Sequence, residues 1–234
     1  MHAIVGARLR EIAPGRAVAT APAPDPAGID AALWLLADFV TGLAVTGTLA
    51  VGERITTLRL TLHVLSRHAV TGGLHGVGTL DEQPGDVALS TGVITDDAGR
   101  TVARAVGRNA VLADEVAAAT RPGAAPGWSD PPRRAADLVV DGAPPDPLAV
   151  NYAGVVQGGV LASLPATALA EVLGGPPDEA TATFLRAVPV DGRTVHVTTE
   201  VEHGGRRLRS GRAVLRDDRD RTVLTVTGLR YTPA

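Results

Sequence analysis

The sequence predicts an α+β protein in which one unit occurs twice, and three observations carry this. A proline-rich stretch from Thr120 to Pro147 divides the 234 residues into two near-equal parts. Each part opens with an apolar helical segment and continues with four alternating runs rich in Val and Thr, the order of an α+β layer structure. Short features then recur in the same order at an offset of about 120 residues, as a tandem duplication requires.

The helical segments are Ile29 to Ala44 and Gly158 to Leu173. In the first, Ala31 to Ala37 and Phe39-Val40 are apolar on nearly every side, the pattern of a helix buried all round. Trp34 belongs to that core. In the second helix, Pro165 is expected to kink the chain or to mark a short first turn. The strand runs of the first part are Ile55–Leu65, Thr71–Asp81, Asp86–Thr95 and Thr101–Leu112. Those of the second are Ala180–Val188, Arg193–His203, Arg206–Arg216 and Arg221–Thr232. Their period-two alternation predicts strands with one covered and one wetter face. A hairpin is expected around Ala7–Ala19, whereas the matching segment Asp137–Val150 is shorter and rich in proline. The repeat itself is seen in Asp96-Asp97-Ala98-Gly99-Arg100-Thr101-Val102, echoed by Asp217-Asp218-Arg219-Asp220-Arg221-Thr222-Val223. Upstream, Leu62-His63-Val64-Leu65 before Gly72 is echoed by Thr183-Phe184-Leu185-Arg186 before Gly192. The units are thus 1–117 and 148–234, joined by a linker over 118–147 that contains Trp128.

Composition narrows the chemistry. Hydrophobic residues make up 45% and charged residues 20%, which supports a sizeable core. No run approaches the ~18 consecutive apolar residues of a membrane span, and no secretory signal opens the chain, so a cytoplasmic location is expected. Cysteine is absent, which excludes thiolate nucleophiles and cysteine metal sites. Every basic residue other than histidine is arginine, so a Schiff-base lysine and a P-loop lysine are excluded. A net charge of −3 argues against nucleic acid as a partner. His63, His68, His75, His196 and His203 have no metal-binding spacing, so no metal is expected. No Gly-x-Ser-x-Gly elbow surrounds Ser90, Ser163 or Ser210.

Two features point to a site. Asp38 sits in the middle of the all-apolar helix. Burial there would raise the cost of its charge and push its pKa upward, which suits a general base or acid, whereas a helix with one exposed face would leave Asp38 simply solvated. The second feature is Asn151-Tyr152-Ala153-Gly154-Val155-Val156-Gln157-Gly158-Gly159-Val160-Leu161. A Gly-Gly pair opening a helix leaves free N–H groups, with the helix dipole behind them, that can hold an oxyanion.

The string from Asn151 through Gln157-Gly158-Gly159 to Leu161, then a helix and strands, resembles the hotdog-fold acyl-CoA thioesterases of the phenylacetate-pathway (PaaI) type. Their motif is Asn, six residues later His-Gly-Gly, then an Asp nine residues after the His. The second half keeps Asn151, Gly158 and Gly159, but has Gln157 for the His and Ala166 at the Asp position. The first half keeps Asp38, but Ile29-Asp30-Ala31 stands at His-Gly-Gly and Ala23 at the Asn. In the family the site lies between two hotdog units. The resemblance therefore implies a tandem double hotdog with one composite site, Asp38 facing Asn151, Gln157 and Gly158. The opposing site, on Ala23, Ile29 and Ala166, would be dead. A hydroxyl partner for Asp38 is expected at Thr57, with Thr56 the adjacent alternative. The Asp, Thr and Gln set also resembles, more loosely, the trio of the acyl-CoA thioesterase II family, another double hotdog.

The implied activity is hydrolysis of an acyl-CoA or other acyl thioester. Asp38 is the base, with direct attack as nucleophile the lesser alternative, the Gly158 N–H is the oxyanion donor, and Thr57, Gln157 and Asn151 orient groups. Substrate contacts are expected from Gly159, and Arg186, Arg206 and Arg207 are candidates for the coenzyme A phosphates. No cofactor is implied, since coenzyme A enters as part of the substrate. The rival readings are a non-catalytic acyl or CoA-ester binding protein, and a hotdog hydratase. Two units in one chain replace the minimal dimer, and exposed sheet faces leave room for a further homodimer.

Overall fold

The computed structural model describes residues 5–25, 27–67, 70–113, 133–151 and 153–233. His68, Trp128 and Tyr152 lie outside them. The first half forms β1 (Arg8–Ala13), β2 (Arg16–Ala21), α1 (Ile29–Thr46), β3 (Glu53–Val64), β4 (Leu74–Glu82), β5 (Val87–Asp96) and β6 (Thr101–Ala113). The second forms α2 (Gly158–Leu173), β7 (Glu179–Phe184), β8 (Val195–Gly204), β9 (Leu208–Asp217) and β10 (Thr222–Tyr231). All pairings are antiparallel, in one ten-stranded sheet of order β1-β2-β4-β5-β6-β3-β7-β10-β9-β8. The first half of the sheet packs on α1 and the second on α2, and the two helices pack on each other. This is the α+β, double-hotdog architecture.

The repeat is visible in the register. β4, β5 and β6 begin at Leu74, Val87 and Thr101, and β8, β9 and β10 begin 121 residues later at Val195, Leu208 and Thr222. The halves join where β3 pairs with β7, from Arg59 against Thr183 to His63 against Glu179. The same shift of 121 carries Leu60 to Thr181 and Thr61 to Ala182, and these are the strand partners of Thr61 and Leu60. The junction therefore has the register of a twofold axis. The Thr61 and Thr181 hydroxyls meet there at 3.0 Å.

The echoed Asp heptads are hairpin ends. Asp96 accepts from the Arg100 N–H at 2.9 Å and from its guanidinium. Asp217 does the same with Arg221 at 2.9 and 2.8 Å. Its hydrogen bond with the Arg221 side chain is the main cause holding its carboxyl down at about 2.

Three elements differ from the sequence expectation. β7 stops at Phe184 and does not reach Val188, because the N–H groups of Leu185 and Arg186 both go to the Val223 carbonyl and end the ladder. β9 begins at Leu208, since Arg206 and Arg207 are spent on the turn after Gly205. Between 133 and 151 there are two 3-10 turns, Ala135–Asp137 and Pro147–Ala149, and no hairpin matching β1–β2. Pro144, Pro145 and Pro147 lack the donors a strand ladder needs. The linker's remaining residues, 118–132, lie outside the described residues.

α1 is buried on nearly every side, with Leu33, Leu36, Ala37 and Val40 at 0% exposure. By length and composition its 18 residues could cross a membrane, but its side chains are mostly spent inside the protein. α2 runs through Pro165 as one helix, starting on a Gln157 cap and ending on Gly174 in the left-handed conformation. The helices touch where Gly159 meets the Trp34–Leu35 backbone. A Cβ at Gly159 would lie 2.3 Å from the Trp34 carbonyl oxygen, so only glycine allows this approach. Gly159→Ala is therefore expected to lower stability by about 1–3 kcal/mol or more, as overpacking does, measured by urea unfolding.

Candidate active site

The approach of α1 to the start of α2 sets Asp38 against residues of both halves. Asp38 is 8% exposed. The Thr57 hydroxyl donates to its Oδ1 at 2.9 Å. Its Oδ2 accepts from the Gly159 N–H at 3.1 Å and from the Gln157 side-chain amide.

Thr57 reaches Asp38 because β3 is bulged. Leu60 and Leu62 face the core, so unbroken alternation would turn residue 58 inward. The pairing with β6 slips between Thr57 and Arg59. That extra residue moves the parity, as bulges do. Leu58 is left exposed, and Thr57 rather than Thr56 meets the carboxylate.

Gln157 and the two glycines divide the free donors of the α2 N-terminus. Gln157 Oε1 accepts from the Val160 N–H at 2.7 Å, and its amide nitrogen turns to Asp38. Gly159 gives its N–H to Asp38. The Gly158 N–H has no partner among the described residues, and Gly158 is partly exposed. A Cβ at Gly158 would lie 3.0 Å from Asp38 Oδ2, so the free N–H and the carboxylate are neighbours. Burial pushes the Asp38 carboxyl above its ordinary range. Hydrogen bonds from Thr57, Gly159 and Gln157 oppose that shift without cancelling it.

Asn151 does not bond to Asp38. Its Oδ1 accepts from the N–H groups of Ala153 at 2.9 Å and Val155 at 3.4 Å, closing the loop before α2. Gln157 donates its own N–H to Ala149 at 3.0 Å, which ties that loop to the cap. Arg186 follows β7 near Val156, which bonds to Val188, and its guanidinium binds the Thr222 carbonyl. Arg206 and Arg207 are exposed on the β8–β9 turn. The neighbouring Arg209 bonds to the Leu173 carbonyl. That is the C-terminal end of α2, so these two arginines lie about 24 Å of helix away from Gly158, at 1.5 Å per residue.

The second pseudo-site is occupied by an ion cluster. Asp30 stands where Gly158 stands in α2, and the shift of 121 carries Thr57 to Asp178. Arg67, with a side chain 12% exposed, joins them at 2.9 Å to Asp30 and 3.6 Å to Asp178, and also donates to the Pro177 carbonyl. Ile29 and Ala166 are buried apolar residues.

Sequence reading missed one neighbour of the site. Asn109 is 1% exposed, and neither side-chain atom has a hydrogen-bond partner among the described residues. It is the direct strand partner of Thr57. Its signal is an Asn at an inward position of β6 between Gly107 and Val111. A cavity of about 260 Å³ lies along the flank of α1, between Ala23, Gly28, Ala32 and Leu35, under Arg133 and Arg134. It reaches to one helical turn before Asp38.

One antiparallel sheet wrapped on two central helices, with a buried carboxylate contacted from both halves, is the double-hotdog fold. That fold is shared with a solved thioesterase, and part of the second half matches a thioesterase family model. Residues 146–231 match the family model described as the acyl-CoA thioesterase N-terminal domain. The chain is similar in fold to the 12:0-ACP thioesterase from Umbellularia californica, 13% identical, over 78% of this chain and 75% of that one, with a TM-score of 0.55. It is also similar to a hypothetical thioesterase with coenzyme A from Streptococcus pneumoniae, 20% identical over 46% of this chain and 87% of that one, TM-score 0.41. The PaaI protein from the phenylacetic acid degradation operon of E. coli is 18% identical over 48% of this chain and 84% of its own, TM-score 0.43. No curated protein sequence matches the chain.

The pKa of Asp38 sets a stability test. Its native value is raised above the unfolded 3.8, so between the two values the native state binds more proton, and stability falls as pH rises. Asp38→Asn removes that dependence. Urea unfolding across pH is expected to find the wild type gaining stability relative to Asp38→Asn as pH falls through the raised value, and flat above it.

Proposed function

We propose that the chain hydrolyses acyl-CoA thioesters at one site, formed by Asp38 and Thr57 of the first half and Asn151, Gln157 and Gly158 of the second. The observation that carries the reading is the unpartnered Gly158 N–H beside a buried carboxylate of raised pKa. In this reading the thioester carbonyl oxygen rests on that N–H. Asp38 takes a proton from water, and the oxygen of that water attacks the carbonyl carbon. The negative charge collects on the carbonyl oxygen, where one such donor is worth about 3 kcal/mol. Collapse of the tetrahedral species breaks the C–S bond. The thiolate leaves with the proton returned by Asp38, and the acid is released.

The other residues have supporting roles. Thr57 and Gln157 hold the carboxylate, and Asn151 shapes the loop that presents Gly158. Gln157 stands where the PaaI-type motif has His. Its double duty as donor to Asp38 and acceptor from Val160 supports a positioning role, which an amide fills as well as an imidazole. Gly159 meets α1 and lies beside the acyl group. Arg186, at the same end as Gly158, is the arginine proposed to meet the coenzyme A phosphates. A cytoplasmic location accompanies a coenzyme A substrate. A non-catalytic acyl-CoA binder is the second reading. It is favoured by the three protein donors that already satisfy Asp38.

Release of free thiol from a panel of acyl-CoAs separates the two. The wild type is expected to turn over at least one of them. Asp38→Asn should lose about 10²–10⁴-fold in kcat, the usual share of a general base. The wild-type kcat/KM should fall with acidification at a pKa above the ordinary 3.8 of an aspartate. Binding without turnover across the panel would leave the second reading. Thr57→Val removes one hydrogen bond to a charged group and should cost about 10–100-fold, the rate equivalent of 1.5–3 kcal/mol.

A further inference from the structure

Two arginines one register step from the site lack the acidic partners that other strand arginines have. Arg59 of β3 and Arg108 of β6 are exposed on the outer face of the sheet and stand directly opposite each other. Like charges so placed repel across about 5 Å. Arg59 donates to the Thr183 hydroxyl at 3.5 Å, and neither guanidinium meets a carboxylate among the described residues. Their neighbours across the sheet are neutral, Leu89 beside Arg108 and Thr183 beside Arg59. The nearest acidic residues on that side, Asp81 and Glu82, are on β4, two strands from Arg108, about 10 Å. By contrast Arg16, Arg100 and Arg221 each hold a carboxylate. Two cations set together without an acid suit an anionic ligand, and guanidinium groups suit phosphate above all.

The pair sits at a fork in the sheet. Arg59 with Thr183 is the last β3–β7 pair, and Glu53 to Leu58 of β3 have no β7 partner. Beyond Phe184 the chain turns away to Val223 and runs on to Val188, which accepts from the Val156 N–H two residues before Gly158. One prong of the fork thus carries Thr57, and the other is tied to the start of α2. Thr57 and Gly158 are both partly exposed, so solvent reaches the site inside the fork. Arg59 is two residues from Thr57 on the same strand, about 7 Å, and lies on the outer face. We propose that Arg59 and Arg108 are a phosphate-binding pair that holds the nucleotide end of a CoA thioester on that face, with the pantetheine arm passing through the fork to Gly158. This rests on the acyl-CoA reading. The arm is an amide-linked chain about as long as four extended residues, ~14 Å. That is enough to pass from one face of a sheet to the other, since packed layers lie about 10 Å apart. Arg186 follows β7 on the second prong, so the phosphates are met from both sides.

The test compares an acyl-CoA with the acyl-pantetheine of the same chain, which has the thioester and the arm but no phosphate. The wild type is expected to prefer the acyl-CoA at least tenfold in kcat/KM, the fold-change of one hydrogen bond to a charged group. Arg59→Gln combined with Arg108→Gln should remove that preference, with the loss in KM rather than kcat. Both side chains are exposed, so the melting temperature should hold, as for other surface substitutions. Arg212→Gln, on the same face but opposite Glu200, should leave the preference intact. An unchanged preference in the double variant, an equal loss on both thioesters, or the same loss in Arg212→Gln would overturn the proposal. Calorimetric binding of free coenzyme A and of pantetheine reads the phosphate pair without turnover. Coenzyme A should bind at least tenfold more tightly than pantetheine, and the double variant should erase the difference. A failure of the hydrolysis reading would leave this binding result standing, whereas equal binding of the two to the wild type would overturn the phosphate pair.

Discussion

One close approach organises the molecule: the first turn of α2 against the middle of α1. Glycine at 159 lets the backbones touch. That contact brings N–H groups with a helix dipole behind them to a carboxylate that would otherwise be buried among Leu, Val and Phe. The carboxylate cannot be satisfied by its own helix, whose N–H groups are used internally. It is satisfied by Thr57 from the sheet and by Gln157 and Gly159 from the other half. Burial still wins the balance and keeps its pKa raised. The same geometry serves folding and chemistry, because a half-chain would leave Asp38 buried without two of its three donors.

The duplication explains why the two pseudo-equivalent places differ. A twofold arrangement offers two helix starts and two helix middles. In one, an acidic side chain faces glycines. In the other, Ile29 and Ala166 are buried apolar residues, and Arg67 pairs with Asp30 and Asp178. An arginine with a side chain 12% exposed and two carboxylate partners is a structural filling. The second place is a fastening between the halves, since Arg67 and Asp30 belong to the first and Asp178 to the second.

Much of this was legible in the sequence, and the reasons are specific. The all-apolar run around Asp38 announced a buried helix with an anomalous charge. The Asp96 and Asp217 heptads announced the repeat, because a hairpin end closed by an aspartate and an arginine four residues on needs both residues at fixed spacing. What stayed hidden depended on register. Thr57 and Thr56 are equivalent in composition, and only a bulge, with no local sequence mark of its own, selects between them. Asn109 becomes visible as unpaired only when the strand opposite is known. Arg206 and Arg207 were attractive as cations beside glycines. Chain direction puts them at the far end of α2, a long-range fact that spacing does not carry.

The central claim is that two hotdog units form one working site, composite and single. Titration calorimetry with a non-hydrolysable acyl-CoA thioether measures it directly. The account predicts one ligand bound per chain, with binding altered by Asp38→Asn and by Thr57→Val. Two ligands per chain, or one ligand indifferent to both substitutions, would contradict it.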